Sequence, residues 1–393
     1  MPELASKCQC TGCTACANSC PRQCIQMKKD SAGFFYPEIV KPSACIDCGA
    51  CERACPVLAD NKVTGNHSLA FAYAAFAKNE PLRMESSSGG VFSELATVIL
   101  QMGGIVYGSS YDENGVIRHI GIENKQDLGK LRGAKYSQSV LGNTFSNIKK
   151  QLMSGKTVLF SGTPCQVAGL KSFLKRDYDN LVCIDFVCHG VPSPMVWEKY
   201  VAYRAQFDNG GTLPLHINLR NKESGWSNYS YSVEFAYGNK KRYFCKNAED
   251  PFMYLFVNDY ILRKSCGDCH FKGYNRVSDI TLGDFWGIQN IDPEMDDNKG
   301  TSLVLTHDAV GEDLLKKVAG RVKIKQVTLE QASSENLSLL KSSVHKPSRD
   351  IVLKTIESED FQAILPFLQK EQLLQRRKRE NILKKVLKKL RGL

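Results

Sequence analysis

The sequence predicts a small α+β module at the N-terminus followed by a larger α/β domain with a mainly parallel or mixed sheet. Three observations carry this expectation. Ten of the sixteen cysteines fall before residue 56. After Cys55-Pro56 cysteine density drops, and the polar stretch Ala59 to Ser68 has the composition of a linker. From Leu69 onward short apolar runs alternate with helical periodicity, the pattern of βαβ units. A chain of 393 residues that is 42% hydrophobic can bury a large core and a small one. The expected units are residues 1–60, 61–345 and a helical basic tail over 346–393.

In the large domain the periodicity predicts helix Val91 to Met102, then strands Gly104 to Tyr107, Val116 to Ile122 and Thr157 to Phe160. Helix Gln166 to Leu174, strand Leu181 to Val187 and helix Pro194 to Gln206 follow, in βαβ order. Between Leu213 and Phe244 the alternation (YSYSVEFAY) is antiparallel in character. Strands Ile280 to Leu282 and Ser302 to Thr306 precede helix Glu312 to Val318. The two cysteine runs are the repeat that the sequence shows.

No window approaches the roughly 18 apolar residues of a membrane span, and the N-terminus lacks an apolar signal core, so the chain reads as cytoplasmic. Cysteines in a reducing compartment point to metal ligation or redox chemistry rather than disulfides. The net charge of +11 concentrates in Arg376 to Leu393, an amphipathic helical pattern. That end is read as a solvated basic helix, with peripheral membrane or partner contact as the alternative. No nucleic-acid motif accompanies the charge.

The N-terminal module is ferredoxin-like. Cys10-Thr-Gly-Cys13-Thr-Ala-Cys16-Ala-Asn-Ser-Cys20-Pro21 and Cys45-Ile-Asp-Cys48-Gly-Ala-Cys51-Glu-Arg-Ala-Cys55-Pro56 both carry the spacing of two-cluster 4Fe-4S proteins. In that pattern three thiolates wrap one cube and the fourth, before proline, reaches the other. The expected ligand sets are Cys10, Cys13, Cys16 and Cys55, and Cys45, Cys48, Cys51 and Cys20. Structural zinc is the rival, but it leaves both C-x-x-x-C-P ends unexplained. Cys8 and Cys24 are surplus and are read as free or packed thiols.

The large domain carries Cys165, Cys183, Cys188, Cys245, Cys266 and Cys269. Cys165 and Cys188 follow predicted strands, and the carboxyl ends of parallel strands face one crevice. Cys266 and Cys269 complete four thiolates there. On spacing alone a third cluster, zinc and a redox dithiol all stand. Cys183, inside a strand, and Cys245 are read as packing residues.

Five ordered segments resemble the coenzyme F420 hydrogenase/dehydrogenase beta-subunit family, over roughly residues 60 to 350. They are Ser86-Ser-Ser-Gly-Gly-Val-Phe92, Leu131-Arg-Gly-Ala-Lys-Tyr-Ser137, Phe160-Ser-Gly-Thr-Pro-Cys-Gln166, Val187-Cys-His-Gly-Val-Pro-Ser193, and Cys266-Gly-Asp-Cys269 running into Ser278-Asp-Ile-Thr-Leu-Gly-Asp-Phe-Trp-Gly287. The resemblance implies an iron-sulfur flavoprotein with FAD and a 4Fe-4S cluster in the large domain. The family's cysteines fall on Cys165, Cys188, Cys266 and Cys269.

No G-x-G-x-x-G or Walker sequence is present, so flavin contacts must be sought elsewhere. Ser87, Ser88, Gly89 and Gly90 precede a helix, where hydroxyls and amides suit a pyrophosphate; on the motif alone an ordinary N-cap is the plainer reading, and the resemblance favours flavin binding. Gly133, Lys135, Tyr136 and Ser137 form a second patch, with Lys135 suited to phosphate or to the flavin N1-C2=O side. Gly162 and Thr163 lead into Cys165. His189 is read as a structural hydrogen-bonding group beside a cluster, and Asp279, Asp284 and Trp286 as packing and loop-fixing residues. No catalytic residue is assigned.

The resemblance implies an oxidoreductase coupling hydride transfer at FAD, with coenzyme F420 or an organic substrate, to one-electron transfer through 4Fe-4S clusters to or from ferredoxin or a partner subunit. The alternative is an electron-transfer subunit without a substrate of its own, feeding a partner enzyme or a membrane-associated biosynthetic pathway.

Overall fold

The computed structural model describes residues 1–58, 70–238 and 240–374. In the module, helix α1 (Ala15–Ser19), strands β1 (Ile25–Lys29) and β2 (Phe35–Ile39) and helix α2 (Ala50–Arg53) follow one another. The strands pair antiparallel from Ile25↔Ile39 to Lys29↔Phe35. Gly33 closes the hairpin at φ +79°, and a Cβ there would lie 2.5 Å from the Met195 amide of the large domain. Glycine is needed for both the turn and the close approach.

The large domain is built on eight strands: β3 (Phe71–Ala77), β4 (Ile105–Tyr111), β5 (Ile117–Ile122), β6 (Val158–Ser161), β7 (Leu181–Phe186), β11 (Ile280–Asp284), β12 (Ser302–Thr306) and β13 (Val322–Val327). Their order is β13-β3-β12-β11-β7-β6-β4-β5. Strands β4, β6, β7 and β11 run parallel, while β5, β12, β3 and β13 add antiparallel pairings. Helices α3 (Val91–Gln101), α4 (Thr144–Met153), α5 (Pro164–Leu174) and α8 (Ala309–Lys317) cover its faces.

Alternation along the central strands divides the core in two. Val106, Leu159, Val182 and Ile184 bury against α3 and α8, through Leu95, Ile99, Leu314 and Leu315. Their neighbours Ile105, Val158, Phe160, Leu181 and Cys183 bury against α4 and α5, through Phe145, Ile148, Val167 and Leu170. Each such side chain contributes about 1.5–3 kcal/mol of burial. A third core lies beyond the carboxyl ends of the parallel strands. There helix α6 (Pro194–Asn209) and the antiparallel strands β8 (His216–Asn221), β9 (Ser232–Ala236) and β10 (Arg242–Lys246) meet α7 (Pro251–Val257) and α9 (Arg349–Ser358).

The mixed sheet agrees with the expected fold class, and Ser302 to Thr306 is a strand over the expected residues. Helix α5 starts two residues early because Thr163 and Gln166 form a capping box around Pro164. Helix α8 starts at Ala309 because the Asp308 side chain accepts from the Gly311 amide. Strand β3 escaped notice because Phe-Ala-Tyr-Ala-Ala-Phe-Ala has no β-branched residue. It is a strand because it pairs on both edges, with β12 and β13. The segment from residue 346 does not begin as a tail: Val352, Leu353, Ile356, Phe361 and Ile364 are buried in the third core. The basic end Arg376 to Leu393 lies outside the described residues. Among the described residues no helix is long and apolar enough to cross a membrane.

Candidate metal centres

The two cysteine runs fold as near copies. Gly12 and Thr14 take positive φ (72° and 67°) in the first run, and Asp47 and Gly49 (51° and 62°) at the matching places in the second. Each run then enters a short helix, α1 or α2. Alternating left-handed residues coil the chain around one point, so that cysteines two residues apart face inward together. For a β-branched threonine this conformation costs on the order of 1–3 kcal/mol, strain of the kind held at functional sites.

Three cavities are lined by the predicted thiols. The inner module cavity is lined by Cys10, Cys13, Cys16 and Cys55, with Leu4, Met27 and Val57 among its apolar walls. The outer one is lined by Cys20, Cys45, Cys48 and Cys51, joined by Cys24. The third, in the large domain, is lined by Cys165, Cys188, Cys266 and Cys269 with His189, Arg263, Lys272 and Arg276. The cavities adjoin in series: Cys51 lines the inner and outer ones, and Thr11 lines the inner and third. Helix α5 presses the third set toward the module, since a Cβ on Gly169 would lie 2.8 Å from Cys13 Sγ.

Burial disfavours the thiolate at four of these positions. Burial pushes Cys13, Cys165, Cys188 and Cys266 up to about 12, with neighbouring cysteine sulfurs adding to the rise in each. Cys13 is among the neighbours acting on Cys165. Opposing groups sit on the third set: Thr163 Oγ1 lies 3.2 Å from Cys165 Sγ, the Val191 amide donates to Cys266 Sγ at 3.3 Å, and Lys272 and Arg276 act electrostatically on Cys188. Four converging sulfurs and a cationic rim are a donor set that fits a multi-iron group, whose charge makes thiolate the stable form.

The module docks through buried polar contacts. Arg263 Nε donates to the Cys10 carbonyl at 2.8 Å, Nη2 to the Phe35 carbonyl at 3.0 Å, and Nη1 to Gln138 Oε1 at 3.1 Å. Asn18 bonds the Gly142 carbonyl and the Ser146 hydroxyl. Sequence reading missed Arg263, Gln138, Lys272 and Arg276. The signal present was a set of basic residues bracketing Cys266 and Cys269, at 263, 264, 272 and 276.

Of the expected flavin segments, Gly133 to Ser137 lies near the end of β4, with Lys135 Nζ 5.7 Å from the centre of the Tyr111 ring, and Gly162 and Thr163 directly follow β6. Lys135 Nζ donates to the carbonyls of Arg132 and Gly133, and burial, with Arg132 nearby, pulls its ammonium down to about 7. Arg132 bonds Ser93 Oγ and pairs with Glu85, which ties this loop to the start of α3. Tyr136 accepts from Arg220, packs on Phe256 at 4.7 Å, and through Phe256 approaches His189. His189 Nε2 lies 2.8 Å from Asp259 Oδ1. Among the described residues, Tyr111 Oη and Ser137 Oγ are buried without a hydrogen-bond partner, and no atom lies within 4 Å of where a Cβ on Gly133 would stand. Two buried hydroxyls left unpaired are groups that a polar ligand would satisfy.

Ser87, Ser88, Gly89 and Gly90 are differently placed. Ser88 Oγ donates to the Thr301 carbonyl, and the Ser87 and Ser88 carbonyls accept from Trp226 and Lys222. A Cβ on Gly89 would lie 2.4 Å from the Ala75 carbonyl. These residues spend their polar groups inside the chain. Gly162 donates to the Ile184 carbonyl, and the Thr163 amide to Gln166.

Cys183 is fully buried, its amide bonded to Asp279, whose carboxyl burial raises to about 7. Asp284 pairs with Arg220 at 2.8 Å, joining β11 to β8, and Trp286 stacks on Trp226 at 4.5 Å. Both hold the small sheet to the large one. Cys8 is exposed, Cys24 is buried, and Cys245 is partly exposed in β10.

This architecture is that of an iron-sulfur electron-transfer protein. Residues 9–59 match the family model of the 4Fe-4S dicluster domain, and residues 155–331 match the model of the C-terminal part of the coenzyme F420 hydrogenase/dehydrogenase beta subunit. The two matches fall on separate parts of the chain, the first on the cysteine-rich module and the second on the half of the large domain that carries Cys165, Cys188, Cys266 and Cys269. The chain is also similar to a chain of the F420-reducing [NiFe] hydrogenase complex from Methanosarcina barkeri, at 15% identity and a TM-score of 0.46, over 74% of this chain and 93% of that one. No curated protein matches.

Proposed function

We propose that the protein is an iron-sulfur flavoprotein oxidoreductase with three cubane sites, held by Cys10, Cys13, Cys16 and Cys55, by Cys20, Cys45, Cys48 and Cys51, and by Cys165, Cys188, Cys266 and Cys269. The observation that carries this reading is the series of adjoining thiol-lined cavities, which runs from the exposed Cys48 to the crevice at the carboxyl ends of the parallel strands. FAD would lie against Gly133, Lys135, Tyr136 and Ser137, with Gly162 and Thr163 between it and Cys165. When bound, the flavin supplies the exchange between a hydride and single electrons, and thiolate-held clusters carry one electron each.

The chain's own residues prepare that exchange. Lys135 offers a charge to an anionic flavin edge, Tyr111 and Ser137 offer unused hydroxyls, and Tyr136 and Phe256 wall the crevice toward His189. At the far end Ile46, 58% exposed beside Cys45, and Cys48 give a ferredoxin or partner subunit access to the outer site. Ser87 to Gly90 support the crevice floor through Trp226 in this reading.

Anaerobic isolation with iron, sulfide and flavin analysis tests the proposal: about twelve irons and one flavin per chain are expected. About eight irons remove the third site, and absence of flavin removes the hydride chemistry. Turnover with reduced coenzyme F420 and a viologen distinguishes an enzyme acting alone from a subunit that needs its partner.

A further inference from the structure

Arg263 is 1% exposed and ends the segment that follows α7. Its guanidinium meets three oxygens, stacks 4.0 Å above the Tyr36 ring, and brings Nη2 to 3.7 Å from Cys10 Sγ. It also lines the third cavity, where its charge favours the ionised form of Cys266. Among the described residues no carboxylate lies within ion-pair distance of it. A buried cation without a counter-anion is costly, so the groups that compensate it matter. Here the negative groups on either side are the sulfurs of two proposed cluster sites.

From this geometry we infer that Arg263 is a positioning residue whose charge, fixed between the Cys10 and Cys266 sites, raises the reduction potential of both clusters relative to the outer site. The inference rests on the three-site reading. A reduced cluster carries one more negative charge than an oxidised one, so a nearby fixed cation favours reduction. One electron leaves one site and arrives at the other, and Arg263 itself neither gains nor loses any.

The test is a redox titration of the intact, cluster-loaded chain, followed by electron paramagnetic resonance, in Arg263→Gln, Arg263→Lys and Gln138→Met. Arg263→Gln should keep about twelve irons and shift the potentials of the Cys10 and Cys266 sites downward, leaving the outer site where it was. Arg263→Lys keeps the charge and should stay near the wild type. Gln138→Met breaks the same junction's hydrogen bonds without changing charge and should not shift the potentials. Unchanged potentials in Arg263→Gln, or an equal fall in Gln138→Met, overturn the inference. If Arg263→Gln is not recovered folded, Arg263→Lys decides: potentials near the wild type support the electrostatic role, and a clear fall overturns it. Eight irons in the wild type would sink the third site, while the Cys10 signal would still report on Arg263.

Discussion

The module and the large-domain crevice reach the same donor chemistry by opposite routes. In the module, six of the eight proposed ligands come from two seven-residue coils, and each proposed fourth ligand, Cys20 or Cys55, lies four residues after its own coil. Its apolar core is small, with Cys10, Phe34 and Tyr36 buried. In the large domain Cys165, Cys188 and Cys266 stand on three segments that meet only because β6 and β7 pair and residue 263 docks beside Val191. The first grouping is local to two short coils, and the second depends on the pairing of strands distant in sequence.

The largest test of that contrast is removal of iron. The module, with too little core to stand alone, should lose hydrogen-exchange protection across β1 and β2 when the metal is stripped, while the amides of β6, β7 and β11 stay protected. Protection surviving in the module would break the comparison.

Cys165→Ser should next remove one site, about four of about twelve irons, leaving the dicluster signals in place. Loss of all iron would mean that the sites assemble as a unit.

Asp185 and Arg276 are both almost fully buried behind the third cavity, with Asp185 bonded to Thr281 and 3.4 Å from Arg276. Asp185→Ala leaves the guanidinium uncompensated and should destabilise the large domain by about 3–5 kcal/mol in denaturant unfolding. The module's iron should be retained.

Lys135 predicts a pH dependence confined to the crevice. Its ammonium, pulled down to about 7, is charged below that pH and neutral above it. Flavin retention should therefore weaken between about pH 6 and 8, and Lys135→Gln should flatten the profile. Without flavin the sign reverses for stability. Above about pH 7 the unfolded chain holds a proton that the folded one lacks, so stability rises toward the ordinary lysine range.

The smallest effect belongs to the rim. Lys29 and Glu198 pair at 2.6 Å between module and domain, but both are well exposed. Lys29→Ala should change stability by at most about 0.5 kcal/mol, read from the thermal midpoint, and a larger loss would mean that docking depends on surface charge.

Much of the site was legible because cysteine spacing is local chemistry. The coils at 10–16 and 45–51 need only their own residues and left-handed turns, so the grouping of thiols around the two module cavities was readable, with Cys55 beside the first run and Cys20 beside the second. Strands β6 and β7 were readable too, and with them the convergence of Cys165 and Cys188. At Ser87 to Gly90 the sequence reads as a phosphate cradle before a helix, and only the structure adds that the Ala75 carbonyl leaves no room for a side chain at Gly89.

The sequence by itself determined which thiols group together in the module and the class of sheet, since these follow from spacing and periodicity over a few residues. Only the tertiary structure decided the order of the three cavities, the placement of Arg263 between two of them, and the unspent hydroxyls of Tyr111 and Ser137. Those depend on contacts between residues more than a hundred positions apart, Arg263 with Cys10 above all, and no local pattern encodes such a contact.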